Sequence, residues 1–150
     1  MPPPSTASSY SLPTLQALLD RIIPEDEFPG AAGAGVIDYV LGQLKGDCAA
    51  EAPALTLGFN QLDVETRARG FGDSFAVLDS AQRDALLSDL ESGRARTKWP
   101  EHVAPPAFFL RMVELATEGY YADPANGGNR GAVSWRMVGY DPRRVDPPPA

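Results

Sequence analysis

His102 and Cys48 are the only histidine and cysteine of the chain, and they bound its chemistry. Two such residues cannot assemble a zinc site of His and Cys ligands. A Ser-His-Asp triad would have to use His102, yet no serine stands in a G-x-S-x-G elbow. His102 lies among Pro100, Glu101 and Pro105, the setting of a surface-loop histidine. The carboxylates Glu25-Asp26-Glu27 offer cation binding or acid–base exchange. They sit between a helix ending at Pro24 and the next one, where capping or plain solvation explains them more simply. Gly30-Ala-Ala-Gly33-Ala-Gly35 precedes a helix, the right side for an anion, but no strand leads in and no Lys-Ser/Thr follows. Close packing of small residues accounts for it better. Asp123 to Asn129 carries oxygen ligands without the acidic spacing and terminal Glu of an EF-hand. No self-sufficient catalytic set emerges.

The stretch from Glu118 to Tyr140 stands apart, because no packing rule asks for it. A Tyr-Tyr pair, an Asp-Pro turn, Asn126-Gly127-Gly128-Asn129, a Trp and a closing Gly-Tyr replace regular periodicity. Glycines flanked by asparagines mark backbone that needs positive φ or a close approach to another surface. Aromatics bracketing such a loop are typical of a buried contact. Two readings stand: a loop folded onto its own domain, or a loop that touches a partner. In the second, Tyr120, Tyr121, Trp135 and Tyr140 are anchors, Arg130 and Arg136 polar partners, and Asn126, Gly127, Gly128 and Asn129 contact backbone.

The elements that must position these residues are helical. Leu12, Leu15, Leu18, Leu19, Ile22 and Ile23 make one apolar stripe, with Ser11 as N-cap and Pro24 as stop. A second helix is expected from about Gly33 to Leu44, with Val36, Ile37, Val40, Leu41 and Leu44 buried. A third starts near Pro53, buries Leu55, Phe59 and Leu62, and runs out through Glu65, Arg67 and Arg69 as a solvated end. After a connector, Phe71 to Leu78, a fourth helix begins at Asp79 or Ser80 with Gln82 placed for a capping box, and ends near Gly93. Arg94 to Pro106 is an irregular basic link containing Trp99 and His102. The fifth helix follows Pro105-Pro106, and its wide apolar face (Phe108, Phe109, Met112, Val113, Leu115, Ala116) makes it central. Ala132 to Val138 adds a turn or two. No stretch alternates with the period of a strand.

The expectation is one all-α domain of about five helices over residues 11–140, ending in the irregular Gly/Asn/aromatic segment. Residues 1–10, rich in Pro and Ser, and the Pro-rich tail 141–150 read as extended and poorly ordered. At 150 residues the chain can bury a real core. A net charge of −7 argues against nucleic acid as a partner. That charge is uneven: residues 1–93 hold 14 acids and 5 bases, residues 94–150 hold 6 and 8, a polarity able to steer a partner. No apolar run reaches the length of a membrane span, so direct membrane insertion is not expected. Met1 to Ser9 lacks both an arginine and an apolar stretch, and so does not read as a secretory or twin-arginine signal.

Two segments taken together resemble a known family. Arg21-Ile-Ile-Pro24-Glu-Asp26, Pro29-Gly30-Ala31 and Ala34-Gly35-Val36-Ile-Asp38-Tyr39-Val40 are similar to the N-terminal signature of gluconate 2-dehydrogenase subunit 3 proteins. Glu118-Gly119-Tyr120-Tyr121-Ala-Asp123-Pro124, Gly127-Gly128-Asn129-Arg130 and Trp135-Arg-Met-Val-Gly139-Tyr140 are similar to its C-terminal signature. The resemblance implies a small accessory subunit without cofactor, metal or catalytic residue of its own. It implies a large FAD-dependent flavoprotein of the glucose-methanol-choline type as partner, oxidising sugars or sugar acids such as gluconate. A cytochrome c subunit often completes such complexes, and the small subunit supports maturation and stability of the large one. Family members commonly carry a twin-arginine signal. This chain departs from that pattern, which leaves its compartment open between periplasm and cytoplasm. Two rivals remain: residues 126–130 complete the partner's substrate pocket, or the chain is a stand-alone helical interaction protein. Asp26 and Asp38 are assigned to capping or internal hydrogen bonds.

Overall fold

The computed structural model describes residues 9–142. Most of the expected extended N-terminus and tail therefore lies outside the described residues. Six α-helices and no strand occur among them: α1 (Leu12–Ile22), α2 (Val36–Lys45), α3 (Ala52–Ala68), α4 (Ser80–Glu91), α5 (Pro105–Tyr121) and α6 (Val133–Val138).

Local chemistry sets most of the boundaries. The Ser11 hydroxyl accepts the Thr14 N–H at 3.2 Å at the head of α1. Asp79 and Gln82 exchange side-chain and backbone bonds at 2.8 and 3.2 Å as a full capping box on α4. The second helix starts at Val36, three residues later than its pattern predicts. Gly35 has φ +67°, which ends any helix arriving from upstream.

Helix α5 is the hub, in contact with each of the other five. Phe108, Met112, Leu115 and Ala116 carry its buried face. Phe108 stacks edge-on against Phe59 of α3 and lies 5.5 Å from Trp99, and Tyr10 reaches Phe59 from the other side at 5.0 Å. Gly58 admits that crossing: a Cβ there would lie 2.2 Å from the Phe108 ring.

One expectation is overturned in part. At the end of α3 Arg67 is exposed as expected, but Glu65 is completely buried and the Arg69 side chain almost so. The basic link after α4 wraps over this end, and Glu65 is what it wraps around. The carboxylate accepts the N–H groups of Arg96 (3.1 Å) and Thr97 (2.9 Å), the Thr97 hydroxyl, and the Trp99 indole N–H (3.2 Å). Arg69 lies 3.4 Å away and also pairs with Asp89 at 2.8 Å. A second polar node, Asp63, accepts the Thr14 hydroxyl and the Phe75 N–H, tying α1 and the Phe75–Val77 turn to α3.

Candidate functional site

The two distinctive segments, some ninety residues apart in sequence, meet in space. Between α1 and α2 the chain doubles back tightly, with Ala31 N–H donating to the Ile23 carbonyl at 2.8 Å. A Cβ on Gly30 would fall 2.5 Å from the Glu25 nitrogen, so the turn has room for no side chain there. From α5, the Tyr120 hydroxyl donates to the Pro29 carbonyl at 2.7 Å and the ring is buried. Tyr39 of α2 lies against Gly119, and its hydroxyl donates to Glu118 at 3.3 Å.

Beyond α5 the irregular loop closes the joint. Asp123 accepts the Ala125 N–H and starts a short turn, Pro124–Asn126, and Gly127 takes φ +102° to leave it. Gly128 then passes so near α5 that a Cβ would sit 2.2 Å from the Gly119 carbonyl oxygen. Asn129 is fully buried at φ +50°. Its amide donates to the Ala122 carbonyl at 2.8 Å, and its oxygen accepts the Ser134 N–H (2.9 Å) and hydroxyl (2.7 Å). Arg130 donates its N–H to the Ala34 carbonyl at 2.8 Å, lays its guanidinium over Gly35 and pairs with Asp38 at 2.8 Å. Asp38 and Asp26, which accepts the Phe28 N–H, both serve internal contacts.

The ten residues singled out in the sequence therefore divide. Tyr120, Gly128 and Asn129 face their own domain. Asn126, Gly127, Arg130 and Arg136 lie at the surface, with Arg130 in its ion pair. Tyr121 (47% exposed) and Tyr140 (55%) form an aromatic ridge with half-buried Trp135. The Trp135 indole donates to the Tyr121 carbonyl at 3.2 Å and meets the Tyr140 ring edge-on at 5.1 Å. Val138 of the same short helix is 62% exposed, an apolar contribution that the sequence reading did not single out. Open clefts flank the ridge, one lined by Ile23, Pro24, Tyr121 and Met137, the other by Ala132, Trp135 and Tyr140. Clustered exposed aromatics of this kind are frequent at interaction surfaces.

Elsewhere the chemistry is structural. Arg111 clamps Glu51 through two bonds of 2.9 and 3.0 Å, with Glu114 at 3.1 Å and the Cys48 sulfur at 3.4 Å. The Arg111 bond holds the Glu51 carboxyl below its usual range, and burial pushes the Cys48 thiol up, away from a reactive thiolate. His102 is exposed on the edge of an open cavity of about 330 Å³ with Glu51, Leu55, Phe108 and Arg111. No group of three or more His, Cys, Asp or Glu able to hold a metal occurs among the described residues, and none of their helices is long and apolar enough to cross a membrane.

Comparison with known families decides what this joint belongs to. The family model described as gluconate 2-dehydrogenase subunit 3 matches residues 10–142. The chain belongs to that family. It is thereby a subunit of a dehydrogenase complex. No curated protein and no solved structure is similar enough to this chain to count as a match. Within this gluconate 2-dehydrogenase subunit 3 protein, both signature segments are engaged first with each other. Gly30, Gly35, Gly128 and Asn129 explain themselves by internal fit, while Tyr121, Trp135 and Tyr140 are displayed by it.

Proposed function

We propose that this subunit is a non-catalytic accessory chain that binds a large FAD-dependent flavoprotein of the glucose-methanol-choline type and supports its folding and stability. The flavoprotein carries the FAD and oxidises sugars or sugar acids such as gluconate, with a cytochrome c subunit as a further member of the complex. Family membership over nearly the whole chain is the observation that carries this reading. The aromatic ridge supports it by offering a ready contact surface.

The ridge has a direct test. Tyr121→Ala with Tyr140→Ala should cut co-purification of the flavoprotein at least about thirty-fold, since central aromatic anchors are worth about 2 kcal/mol or more in binding. The isolated variant should lose about 1–3 kcal/mol and still fold, because each ring is about half exposed and has one edge-on aromatic neighbour. Undiminished co-purification would remove the ridge from the interface.

The rival, in which residues 126–130 complete the partner's substrate pocket, rests on Asn126, Gly127 and Arg130 alone, because the Asn129 amide is engaged by its own backbone. Arg130→Ala separates the two readings. The pair with Asp38 is exposed, so its loss should cost about 1 kcal/mol or less of stability. Turnover and assembly should both stay within about two-fold, and lost turnover in an intact complex would favour the rival.

A further inference from the structure

The segment that buries Glu65 also does something on its outer side. Along Arg94 to Trp99, exposure alternates: Arg94, Arg96 and Lys98 are exposed, Ala95 and Thr97 are half-buried, and Trp99 is buried. The inward residues are fixed from several directions. Glu65 holds the Arg96 and Thr97 backbone and the Trp99 indole, and Gln61 donates to the Thr97 hydroxyl (2.9 Å) and the Lys98 carbonyl (3.3 Å). Arg94 N–H donates to the Asp89 carbonyl at 2.7 Å. A fully buried carboxylate thus organises a loop whose outward side chains are three cations in a chain of net charge −7.

Those cations are poorly neutralised. Arg94 approaches Asp89 at 3.3 Å, but Asp89 is already held by Arg69 at 2.8 Å. Arg96 and Lys98 have no ion pair among the described residues. The neighbouring acids Glu91 and Glu101 are exposed at either end of the segment. Side chains mounted on a fixed backbone lose less freedom on binding than those on a loose loop.

We propose that Arg94, Arg96 and Lys98 form a preset cationic docking surface for an acidic segment of the flavoprotein, a second contact besides the aromatic ridge. This rests on the accessory-subunit reading. A protein surface fits better than an anionic membrane. The subunit's overall negative charge is repelled by such a membrane, and the local aromatic, Trp99, is buried, so it cannot anchor in a bilayer. Contacts of this kind act chiefly on the rate of encounter and on its salt dependence.

The test is association of the full-length subunit with a glucose-methanol-choline-type flavoprotein from the same genome, followed by surface plasmon resonance from 50 mM to 500 mM salt. Arg96→Glu with Lys98→Glu should slow association at least about ten-fold at low salt, with the difference vanishing at high salt. Arg96→Gln with Lys98→Gln should give a smaller loss of the same form. Rates and salt slopes equal to the parent's, in a complex that still forms, overturn the docking surface and leave the accessory role standing. Binding to phosphatidylserine vesicles that the reversal abolishes, with the flavoprotein rate unchanged, overturns it in favour of a membrane. No complex even with the parent subunit overturns the accessory role, and the docking surface with it.

Discussion

Replacing Glu65 with Ala should remove about 3–5 kcal/mol of stability, enough to leave a domain of this size marginal. The carboxylate sits at the centre of the α3–link contact. Its loss strands the Arg96 and Thr97 N–H groups and the Trp99 indole without an acceptor inside the protein. Burial by itself would raise the Glu65 pKa, but the donors from Thr97, Arg96 and Trp99 outweigh it and hold the carboxyl below its usual range. A depressed folded-state pKa means the contribution is present above the unfolded value, near 4.3, and is lost as pH falls through the folded value. The gap in melting temperature between parent and Glu65→Ala should therefore be widest at neutral pH and narrow toward pH 3. A gap that stayed constant down to pH 3 would show that the ionised form is not what organises the link.

Asn129→Ala should cost about 2–4 kcal/mol. Three hydrogen bonds disappear from a fully buried site, leaving the Ala122 carbonyl and the Ser134 N–H unpartnered. The residue also holds φ +50°, which Ala adopts at a cost of about 1–2 kcal/mol. Asn129→Gly separates the two contributions: it deletes the same bonds but tolerates positive φ, so it should lose about 1 kcal/mol less. Denaturant unfolding of the isolated subunit reads both. Equal losses for the two variants would mean the backbone conformation relaxes once the side chain is gone. A loss of assembly in Asn129→Ala must accordingly be judged against its folding, because this side chain is buried within its own domain.

How much of this was legible follows from where each signal resides. Helix starts were legible wherever a cap supplied them. The Asp79–Gln82 box and the Ser11 cap are local chemistry, and the chain shows both at the expected residues. The central position of α5 was legible because its apolar face is too wide for one neighbour. The start of α2 was misplaced because apolar spacing does not convey the positive φ of Gly35, over which the guanidinium of an arginine 95 residues away lies. Glu65 was misread for the same reason. Followed by Thr66 and Arg67 it looks like any surface carboxylate, and its partners come from a segment about thirty residues downstream.

The joint between the two signatures was half legible. Asn126 to Asn129 announced unusual backbone, and Gly127 and Asn129 do take positive φ. What the pattern could not convey was the direction in which each side chain turns. Asn and Gly serve equally well in a loop that packs inward and in one that reaches outward. The inward set, Tyr120, Gly128 and Asn129, is fixed by atoms of the turn between α1 and α2, of α2, α5 and α6, whereas Tyr121 and Tyr140 are left about half exposed.

The decisive measurement is co-expression with a glucose-methanol-choline-type flavoprotein from the same genome, tagging only this subunit and repeating the flavoprotein expression without it. A yellow complex should co-purify on the tag, and the flavoprotein expressed alone should be insoluble or inactive. A subunit that elutes by itself, beside a flavoprotein that folds and turns over without it, would contradict the accessory role.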